Sequence, residues 1–365
     1  MKDVKVYIDL LYSEFMKELI DSISQEVTSQ SKKFAEYPLK ISVADSSKLA
    51  SFSEKNFRNI RLDSSKKEIV FVDGGSSEII SSNSFSLHVM RVGSAIYSEN
   101  KKVQTFSKEY FVLTKTDFNN EKLTYISKIF DLSDSRNHKI VRFDASDRTL
   151  KDGINNGEIT KVGGVVRRFM ELDFAKTMLK KVSQHSILLL DGSLQCTFSG
   201  EEKYMESLIS SAISRNVLVM AISKTNSLIS DTGASVDTVL KNMSCELGLD
   251  SKMWFYHPLA SVFEENYSAD IIMAKLHKRS KHILKVEISN KYKLINYNKI
   301  FGCLALNSGD PVFIGYPYGL IKADEIARVS NDVSSYYRVR FMRNLNLEEL
   351  ESSKNAHSIL DKIKF

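Results

Sequence analysis

Short apolar runs separated by polar breaks dominate the middle of the chain. Residues 67–115 contain three of them, EIVFV, SFSLHVMRVGSAIY and EYFVLTK, with Gly, Ser and Asn clusters between them, which predicts three consecutive strands in a meander. Two more runs, Ile187–Leu190 and NVLVMAISK ending at Lys224, flank a helical stretch at about 202–214. Strand, helix and strand in this order predict parallel pairing in a sheet covered on both faces.

Helical periodicity marks other parts of the chain. Residues 4–36 place apolar side chains one turn apart with charges between them, and residues 165–182 put Val, Phe, Met and Leu close to one stripe. Both segments are predicted to form amphipathic helices. Further helices are expected at about 120–130 and 319–330, whereas residues 311–318, PVFIGYPY, indicate a strand.

Composition narrows the class of protein. Hydrophobic residues make up 42% of the 365 positions and charged residues 26%, which is ordinary for a globular protein and excludes general disorder. Lys and Arg total 51 against 45 Asp and Glu, and this net charge of +6 permits contact with phosphate groups without requiring it. The three cysteines lie far apart, which excludes a paired zinc motif and favours a reducing compartment.

The amino-terminal segment predicts no export. Acids and lysines interrupt its apolar pattern, so it lacks the continuous apolar core of a signal peptide. No stretch of about 18 apolar residues occurs in the chain, so no membrane span is expected. We therefore expect a soluble, cytoplasmic protein with no membrane association.

Two similar steps end apolar runs far apart in the sequence. Asp73 follows EIVFV, Asp191 follows ILLL, and a glycine follows each aspartate. If both runs are central strands, the two carboxylates reach the carboxyl edge of the sheet, where α/β proteins bind ligands. Neighbouring carboxylates repel each other unless a cation lies between them, and oxygen-only ligation suits Mg²⁺ or Mn²⁺. The alternative for each Asp-Gly step is a simple turn.

Two further residues border this predicted site. Glu171 lies one helical turn from Arg167 and Arg168, so it is either a metal ligand or half of a helix-surface ion pair, and the local pattern alone favours the ion pair. Lys224 follows the third apolar run, where its charge could hold a phosphate or its side chain could simply extend to solvent.

The segment GYPYGLIKADEIA supplies the last candidates near the site. Tyr316 ends the strand expected before it, and Asp324 lies in the first or second turn of the helix expected after it. Asp324 could ligate a cation, or it could stabilise the amino terminus of that helix.

The densest basic run, KLHKRSKH, contains four cations: Lys275, Lys278, Arg279 and Lys281. A solvated helix face is the default interpretation of such a run. The run becomes a DNA contact, together with Arg167 and Arg168 nearer the acids, if the protein must hold phosphates.

Five blocks of sequence point to a family when they are taken in order. FVDGGSS, RRFMELD, LLLDGSL, AISKTN and GYPYGLIKADEIA resemble the NurA nucleases of archaea and some bacteria from about residue 65 to 330. The resemblance implies an α/β fold with an RNase H-like mixed sheet core, flanking helices and N- and C-terminal helical extensions. It further implies a DNA nuclease that uses Mn²⁺ or Mg²⁺, with 5′-to-3′ exonuclease and single-strand endonuclease activity. The implied partners are DNA, a second copy in a homodimer, and the hexameric translocase HerA in DNA end processing.

The expected domain organisation follows from the patterns and this resemblance. We expect a helical region at 1–60, a nuclease core at 61–335 and a helical tail at 336–365. Two segments of the core, at about 116–160 and 250–300, are expected as insertions.

The resemblance also assigns roles to individual residues. It implies that Asp73, Glu171 and Asp191 bind the metal and that Lys224 and Tyr316 belong to the catalytic site. One position departs from the family pattern, because this chain has Asp324 where a histidine is expected, eight residues beyond the tyrosine. Aspartate can ligate a hard cation, so we count Asp324 among the metal-binding and catalytic residues, but it cannot act as a neutral imidazole near pH 7.

Two other functions stay open on the sequence alone. Actin-like and sugar-kinase ATPases also place Asp-Gly steps at strand ends, and KVGGVV at 161–166 could supply a third phosphate loop; tight ATP binding without DNA would indicate that class. The other alternative is a catalytically inert DNA-binding adaptor of the translocase, with a site altered at Asp324. Manganese-dependent cleavage of a labelled single strand separates that adaptor from a nuclease.

Overall fold

The computed structural model describes residues 15–26, 41–42, 48–49, 52–64, 67–119, 122–134, 138–151, 153–230 and 233–345. The helices are α1 (15–26), α2 (Lys161–Met178), α3 (Glu201–Ser214), α4 (Val236–Glu246), α5 (Tyr297–Leu306), α6 (Tyr318–Ala327) and α7 (Asn331–Leu345). The strands are β1 (Ile41–Ser42), β2 (Lys48–Leu49), β3 (Phe57–Asn59), β4 (Glu68–Ser81), β5 (Phe85–Ser98), β6 (Lys101–Asn119), β7 (Lys122–Asp131), β8 (His138–Asp144), β9 (Ile187–Asp191), β10 (Leu218–Ser223), β11 (Ile229–Ser230), β12 (Trp254–Glu264), β13 (Tyr267–Lys275) and β14 (Leu284–Ser289).

A large mixed sheet forms the centre of the protein. Its strand order is β2, β12, β13, β14, β10, β9, β4, β5, β6, β7, β8, with β3 also paired to β12. The β4, β5 and β6 strands form an antiparallel meander and β9 lies parallel to β10, as predicted. The β9 strand is also parallel to β4. The order β6, β5, β4, β9, β10, in which only β5 runs in the opposite direction, is that of an RNase H-like core. The fold is therefore α/β with the predicted core and flanking helices.

Alternating side chains of the central strands enter two hydrophobic clusters, one on each face of the sheet. Val70 and Val72 pack with α2 and α3, whereas Ile69 and Phe71 pack with α5 and α6. All four side chains are at most 4% exposed, and burying each one contributes roughly 1.5–3 kcal/mol. Helices on both faces explain why these strands are unbroken apolar runs in the sequence.

The helix expected at about 120–130 is wrong. This segment is β7, which pairs along its length with β6 and β8. Tyr125, Ser127 and Ile129 lie at alternating positions and are buried, which is the period of a strand. The serine and the polar residues between these positions obscure that period in the sequence.

The strand expected at 311–318 is also wrong. Pro311–Phe313 forms a short 3-10 turn, and irregular backbone follows it up to α6. Pro311 and Pro317 have no N–H to donate to a neighbouring strand, and Gly315 has a φ of 94°, so the segment cannot enter a regular ladder. The helix predicted after it is confirmed as α6.

The segments expected as insertions contribute strands to the central sheet. Residues 116–160 contain β7 and β8, and residues 250–300 contain β12, β13 and β14. Helix α1 lies in the region expected to be helical at 1–60, which also contains β1, β2 and β3. Helix α7 begins at Asn331, before the expected boundary at 335, and the tail from residue 346 is outside the described residues. None of the described helices is long and apolar enough to cross a membrane.

Candidate active site

Two aspartates meet where the parallel pairing of β4 with β9 ends, at the carboxyl end of β9. Val72 of β4 lies opposite Leu190 of β9 in the ladder, so the next residues, Asp73 and Asp191, are adjacent on one face of the sheet. Asp73 is 8% exposed, and the side chain of Asp191 is 16% exposed. The structure thus brings together the two aspartates that the sequence singles out.

The surroundings of Asp73 disfavour the ionised form of its carboxyl group. Burial, together with the charges of Glu171 and Asp191, raises the pKa of Asp73 to about 7. The backbone N–H of Gly74 donates to Asp73 Oδ1 at 2.7 Å and lowers the pKa, but this effect is outweighed. Among the described residues, the ion pairs of the site involve the other acids and not Asp73. A divalent cation beside Asp73 would therefore stabilise its ionised form.

Glu171 enters the same cluster from α2. Its side chain is 2% exposed and accepts hydrogen bonds from Arg168 Nη1 at 2.7 Å and from Arg167 Nη1 at 3.2 Å. Burial raises the pKa of Glu171 in spite of both guanidinium groups. Glu171 therefore forms ion pairs, as the local pattern favours, but it is buried and not on the helix surface. It also belongs to the acidic cluster, because its charge raises the pKa of Asp73.

Glycines next to Asp73 allow two helices to approach the strand. β4 continues through Gly74 and Gly75 to Ser81, so this Asp-Gly step is not a turn. A Cβ atom at position 74 would lie 3.2 Å from Glu171 Oε2, and one at position 75 would lie 2.3 Å from the carbonyl oxygen of Ala327. The two glycines therefore leave room for α2 on one side and the end of α6 on the other.

Asp191 is the member of the cluster that has a cation beside it. Lys224 Nζ lies 2.8 Å from Asp191 Oδ2, and the Tyr316 hydroxyl donates to Oδ1 at 3.0 Å. The same ammonium lies 5.1 Å from the centre of the Tyr316 ring. Burial alone would lower the pKa of Lys224, but the neighbouring aspartates raise it and keep the ammonium charged. Burial and the charge of Asp191 raise the pKa of Tyr316, so its hydroxyl is a neutral donor.

Asp324 lies on α6 at the rim of the cluster. Its carboxylate is 2.5 Å from Arg328 Nη2, and its side chain is 39% exposed. Because the charge of Asp324 raises the pKa values of Asp73 and Lys224, it acts on the same site. Asp324 lies beyond the first turn of α6, so the alternative role at the helix amino terminus is not supported.

The chemistry of these donors fits a hard divalent cation. Four carboxylates supply oxygen atoms only, and burial, together with the charges of Glu171 and Asp191, raises the pKa of Asp73, which has no cation paired with it among the described residues. Within the described parts of the chain, however, no three Asp, Glu, His or Cys side chains already stand in a metal-binding arrangement. Arginine and lysine side chains pair with Glu171 and Asp191 instead, so binding a metal would require side-chain rearrangement.

Two of the cations expected to contact DNA are buried. Arg168 donates to Glu171, to Glu201 at 2.8 Å and to the carbonyl of Ser193 at 2.7 Å. Lys275, which is 7% exposed, donates to the carbonyl oxygen of Asp250. We therefore remove Arg168 and Lys275 from the set of DNA contacts, because protein groups already satisfy their charged ends.

The other expected DNA contacts remain accessible. Arg167 has a side chain that is 32% exposed. Lys278, Arg279 and Lys281 are exposed in the loop between β13 and β14, and not on a helix. This loop packs against the segment that carries Tyr316, because a Cβ atom at Gly315, the residue before Tyr316, would lie 2.3 Å from Ser280 Oγ.

Sequence reasoning missed two buried acids next to the site. Glu201 pairs with Arg168 and accepts the backbone N–H groups of Thr197 and Phe198. Glu287 on β14 is fully buried and binds the loop that follows Asp191. The signal for Glu287 was an acid inside the apolar run LKVEIS, at a position that a strand buries.

Comparison with known proteins places the chain in a wider group. A family model described as the NurA domain matches residues 67–329. Among solved structures, the chain is similar to Endonuclease V of Ciona intestinalis, in complex with a 24mer DNA containing an inosine followed by a ribo-adenosine, with 12% identity, 84% of this chain and 96% of that chain covered and a TM-score of 0.37. The chain is also similar to the catalytic domain of human Endonuclease V, with 13% identity, 80% of this chain and 93% of that chain covered and a TM-score of 0.37. For A. aeolicus Argonaute the identity is 10%, the coverage is 74% of this chain and 29% of that chain, and the TM-score is 0.34. No protein of curated function matches the sequence.

The family match carries the assignment, and not these distant structural likenesses. The family match spans most of the chain and includes every acid of the cluster described above. The match and the fold define the protein as a nuclease. The chain belongs to the NurA family.

Proposed function

We propose that the chain is a divalent-metal-dependent deoxyribonuclease that hydrolyses phosphodiester bonds. The observation that carries this proposal is the meeting of Asp73, Glu171 and Asp191 at one edge of the sheet, where the pKa of Asp73 is raised to about 7. Acids held together in this way favour a bound cation, and cations of this class catalyse phosphodiester hydrolysis.

The metal ligands would be the four acids of the cluster: Asp73, Glu171, Asp191 and Asp324. When bound, Mn²⁺ or Mg²⁺ supplies an activated water and stabilises the leaving oxygen. A carboxyl group must lose its proton to ligate a metal, so the raised pKa of Asp73 makes metal affinity decline below about pH 7. Asp324 takes the place of the histidine that the family resemblance leads us to expect, and we assign it to metal binding and not to proton transfer.

Lys224 and Tyr316 orient Asp191 and assist catalysis. The Tyr316 hydroxyl donates to Asp191 Oδ1 and orients the carboxylate, while Oδ2 accepts the Lys224 ammonium in the structure and would bind the metal in its place. Lys224 has a side chain that is 45% exposed, so its ammonium can leave Asp191 and meet a substrate phosphate once a metal neutralises that aspartate.

The DNA backbone would contact Arg167 beside the acidic cluster and the exposed cations of the loop between β13 and β14. Arg167 lies on the α2 side, where its guanidinium is partly exposed beside Glu171. Lys278, Arg279 and Lys281 lie in the loop beside the Tyr316 segment. Phosphate contacts of this kind position the substrate without reading its sequence.

The family resemblance supplies the finer parts of the proposal. These are 5′-to-3′ exonuclease and single-strand endonuclease activity, a homodimer, and work in DNA end processing with a HerA-type hexameric translocase in the cytoplasm. The family match over residues 67–329 supports them.

The structure does not support the third phosphate loop that the ATPase alternative requires at residues 161–166. Gly163 and Gly164 lie in the first turn of α2, where the Gly163 N–H already donates to the carbonyl oxygen of Thr160 at 3.3 Å, so KVGGVV starts a helix and does not form a loop. A Cβ atom at Gly163 would lie 2.7 Å from the His88 ring, so packing of α2 on the sheet accounts for this glycine.

The test is cleavage of end-labelled single-stranded DNA with Mn²⁺, Mg²⁺ or EDTA. We expect Asp73→Asn and Asp191→Asn each to reduce the rate of cleavage by roughly 100- to 1000-fold or more. Asp270→Asn is the matched control, because Asp270 hydrogen-bonds Ser261 and Tyr297 elsewhere in the sheet, and it should cleave normally.

The outcome also decides between a nuclease and an inert adaptor. Wild-type protein that binds DNA but cleaves none with either cation would contradict the nuclease proposal and favour the adaptor. Tight ATP binding without DNA binding would favour the ATPase class.

A further inference from the structure

Buried charges hold the loop after Asp191 from two sides. This loop, residues 192–195, begins at Gly192, whose φ of 103° turns the chain away from β9. Arg168 contacts it from α2, and Glu287 contacts it from β14. Neither side chain faces the proposed substrate, since they are 9% and 0% exposed.

Glu287 joins the loop to the sheet through both carboxylate oxygens. Oε2 accepts the Leu194 backbone N–H at 2.6 Å, and the Ser193 hydroxyl lies 2.9 Å from Oε2 and 3.0 Å from Oε1. Oε1 accepts the Tyr267 hydroxyl at 2.8 Å and lies 2.6 Å from Lys285 Nζ. One oxygen therefore serves the loop, and the other is tied mainly to the strands.

Arg168 joins the same loop to the helix that carries Glu171. Its Nη2 donates to the carbonyl oxygen of Ser193 at 2.7 Å, and its Nη1 donates to Glu171 at 2.7 Å. Its Nε donates to Glu201 at 2.8 Å, and the Glu201 carboxylate in turn accepts two backbone N–H groups ahead of α3. A rigid, planar guanidinium fixes these acceptors at set positions relative to one another.

We propose that Arg168 and Glu287 are positioning residues that hold Asp191 in place relative to Glu171. The proposal rests on the metal-binding function proposed above. Arg168 contacts one proposed ligand directly and the loop of the other, while Glu287 ties that loop to β14. Buried groups with every partner in place resist displacement, and outer partners of this kind orient the ligands of metal sites.

The variant Glu287→Gln separates the two oxygens. An amide has one acceptor oxygen and an NH₂ group that cannot accept. The Lys285 ammonium, 2.6 Å from Oε1, favours the amide oxygen on its side, so the NH₂ group faces the Leu194 N–H, which loses its acceptor. Ser193→Ala removes the hydroxyl that donates to Glu287 and that accepts the Gln195 backbone N–H at 3.0 Å, and it leaves the Glu287 carboxylate intact. Asp270→Asn is the control for loss of a carboxylate in the same sheet.

Two readouts test the proposal on the full-length protein. Hydrogen exchange of the Leu194 amide, measured without metal, should be about tenfold faster in Glu287→Gln and less so in Ser193→Ala. Mn²⁺ binding, measured by calorimetry without DNA, should weaken by about tenfold in Glu287→Gln, with cleavage recovering at higher Mn²⁺. The control should match the wild type in both.

Each result has a distinct meaning. Unchanged exchange at Leu194 in both site variants, or an equal change in Asp270→Asn, would overturn the positioning role. Should Glu287→Gln fail to fold, Ser193→Ala decides by the same exchange measurement. A wild-type protein that binds no Mn²⁺ would sink the proposed function instead, while the exchange data would still test the hold on the loop.

Discussion

Asp73 and Asp191 follow equivalent apolar runs and end up side by side, yet their electrostatic surroundings differ. Asp191 has the Lys224 ammonium at 2.8 Å and the Tyr316 hydroxyl at 3.0 Å. Asp73 has a backbone N–H from Gly74 and two acidic neighbours, and its pKa is raised to about 7. The Lys224 ammonium balances the charge of Asp191, whereas Asp73 has no paired cation among the described residues and would be stabilised in its ionised form by a bound metal.

The difference comes from which strands lie beside each aspartate. Ile222 of β10 pairs with Asp191, and Lys224 follows two residues later at the end of that strand. On the other side of β4, Asp73 pairs with Gly93 of β5, which brings no side chain. A Cβ atom at Gly93 would lie 2.8 Å from Ile326 of α6, so this position is reserved for close helix packing. Sheet topology therefore sets the charge balance of the site.

The comparison predicts a pH-dependent loss of stability that originates at Asp73. Its pKa is 3.8 in the unfolded chain and about 7 in the folded protein, so between these values the folded state binds more protons. The free energy of unfolding contributed by this group then falls as the pH rises, by up to about 4 kcal/mol without metal. Thermal unfolding of metal-free Asp73→Asn should show a stability gain over the wild type that grows from pH 4 to pH 7. A difference that does not vary with pH would contradict the assigned environment of Asp73.

The substitution Lys224→Met removes the cation beside Asp191 and should have a smaller effect on stability than the change at Asp73. The variant leaves Asp191 without its cation, and we expect cleavage to fall roughly 100-fold. The free energy of unfolding should change by no more than about 1 kcal/mol, because the Lys224 side chain is 45% exposed and water screens the pair. Cleavage kinetics and thermal unfolding measure the two effects.

A second lysine serves as the control for that variant. Lys203 is exposed on α3, so Lys203→Met changes the net charge equally without touching the site. If Lys203→Met lowers cleavage as much as Lys224→Met does, the loss reflects charge and not the contact with Asp191.

The sequence alone predicts the elements that carry the site. Unbroken apolar runs identify β4, β9 and β10 because helices cover both faces of those strands. One helical stripe identifies α2 and so places Glu171 near the site. The repeated Asp-Gly step identifies both aspartates, because each follows an apolar run of paired strand, and the residue after such a run lies where the parallel pairing ends.

Other features depend on pairing that no local pattern records. Gly74 and Gly75 suggest a turn in the sequence, but β4 continues past them because β5 pairs with it along its length. The basic run at 275–281 mixes a buried lysine with exposed ones, because β13 ends at Lys275 and a loop begins. Arg168 and Arg167 are adjacent in sequence, yet one is enclosed by acids and the other is partly open to solvent.

Calorimetric titration of Mn²⁺ at pH 7, in two buffers of different ionisation enthalpy, tests the central claim most directly. Because the pKa of Asp73 is raised to about 7, part of the metal-free protein carries a proton on this carboxyl group at pH 7, so binding of Mn²⁺ should release protons. Asp73→Asn should lose both the tight binding and the proton release. Binding that survives this substitution, or a wild type that takes up no Mn²⁺, would contradict a cation site at Asp73.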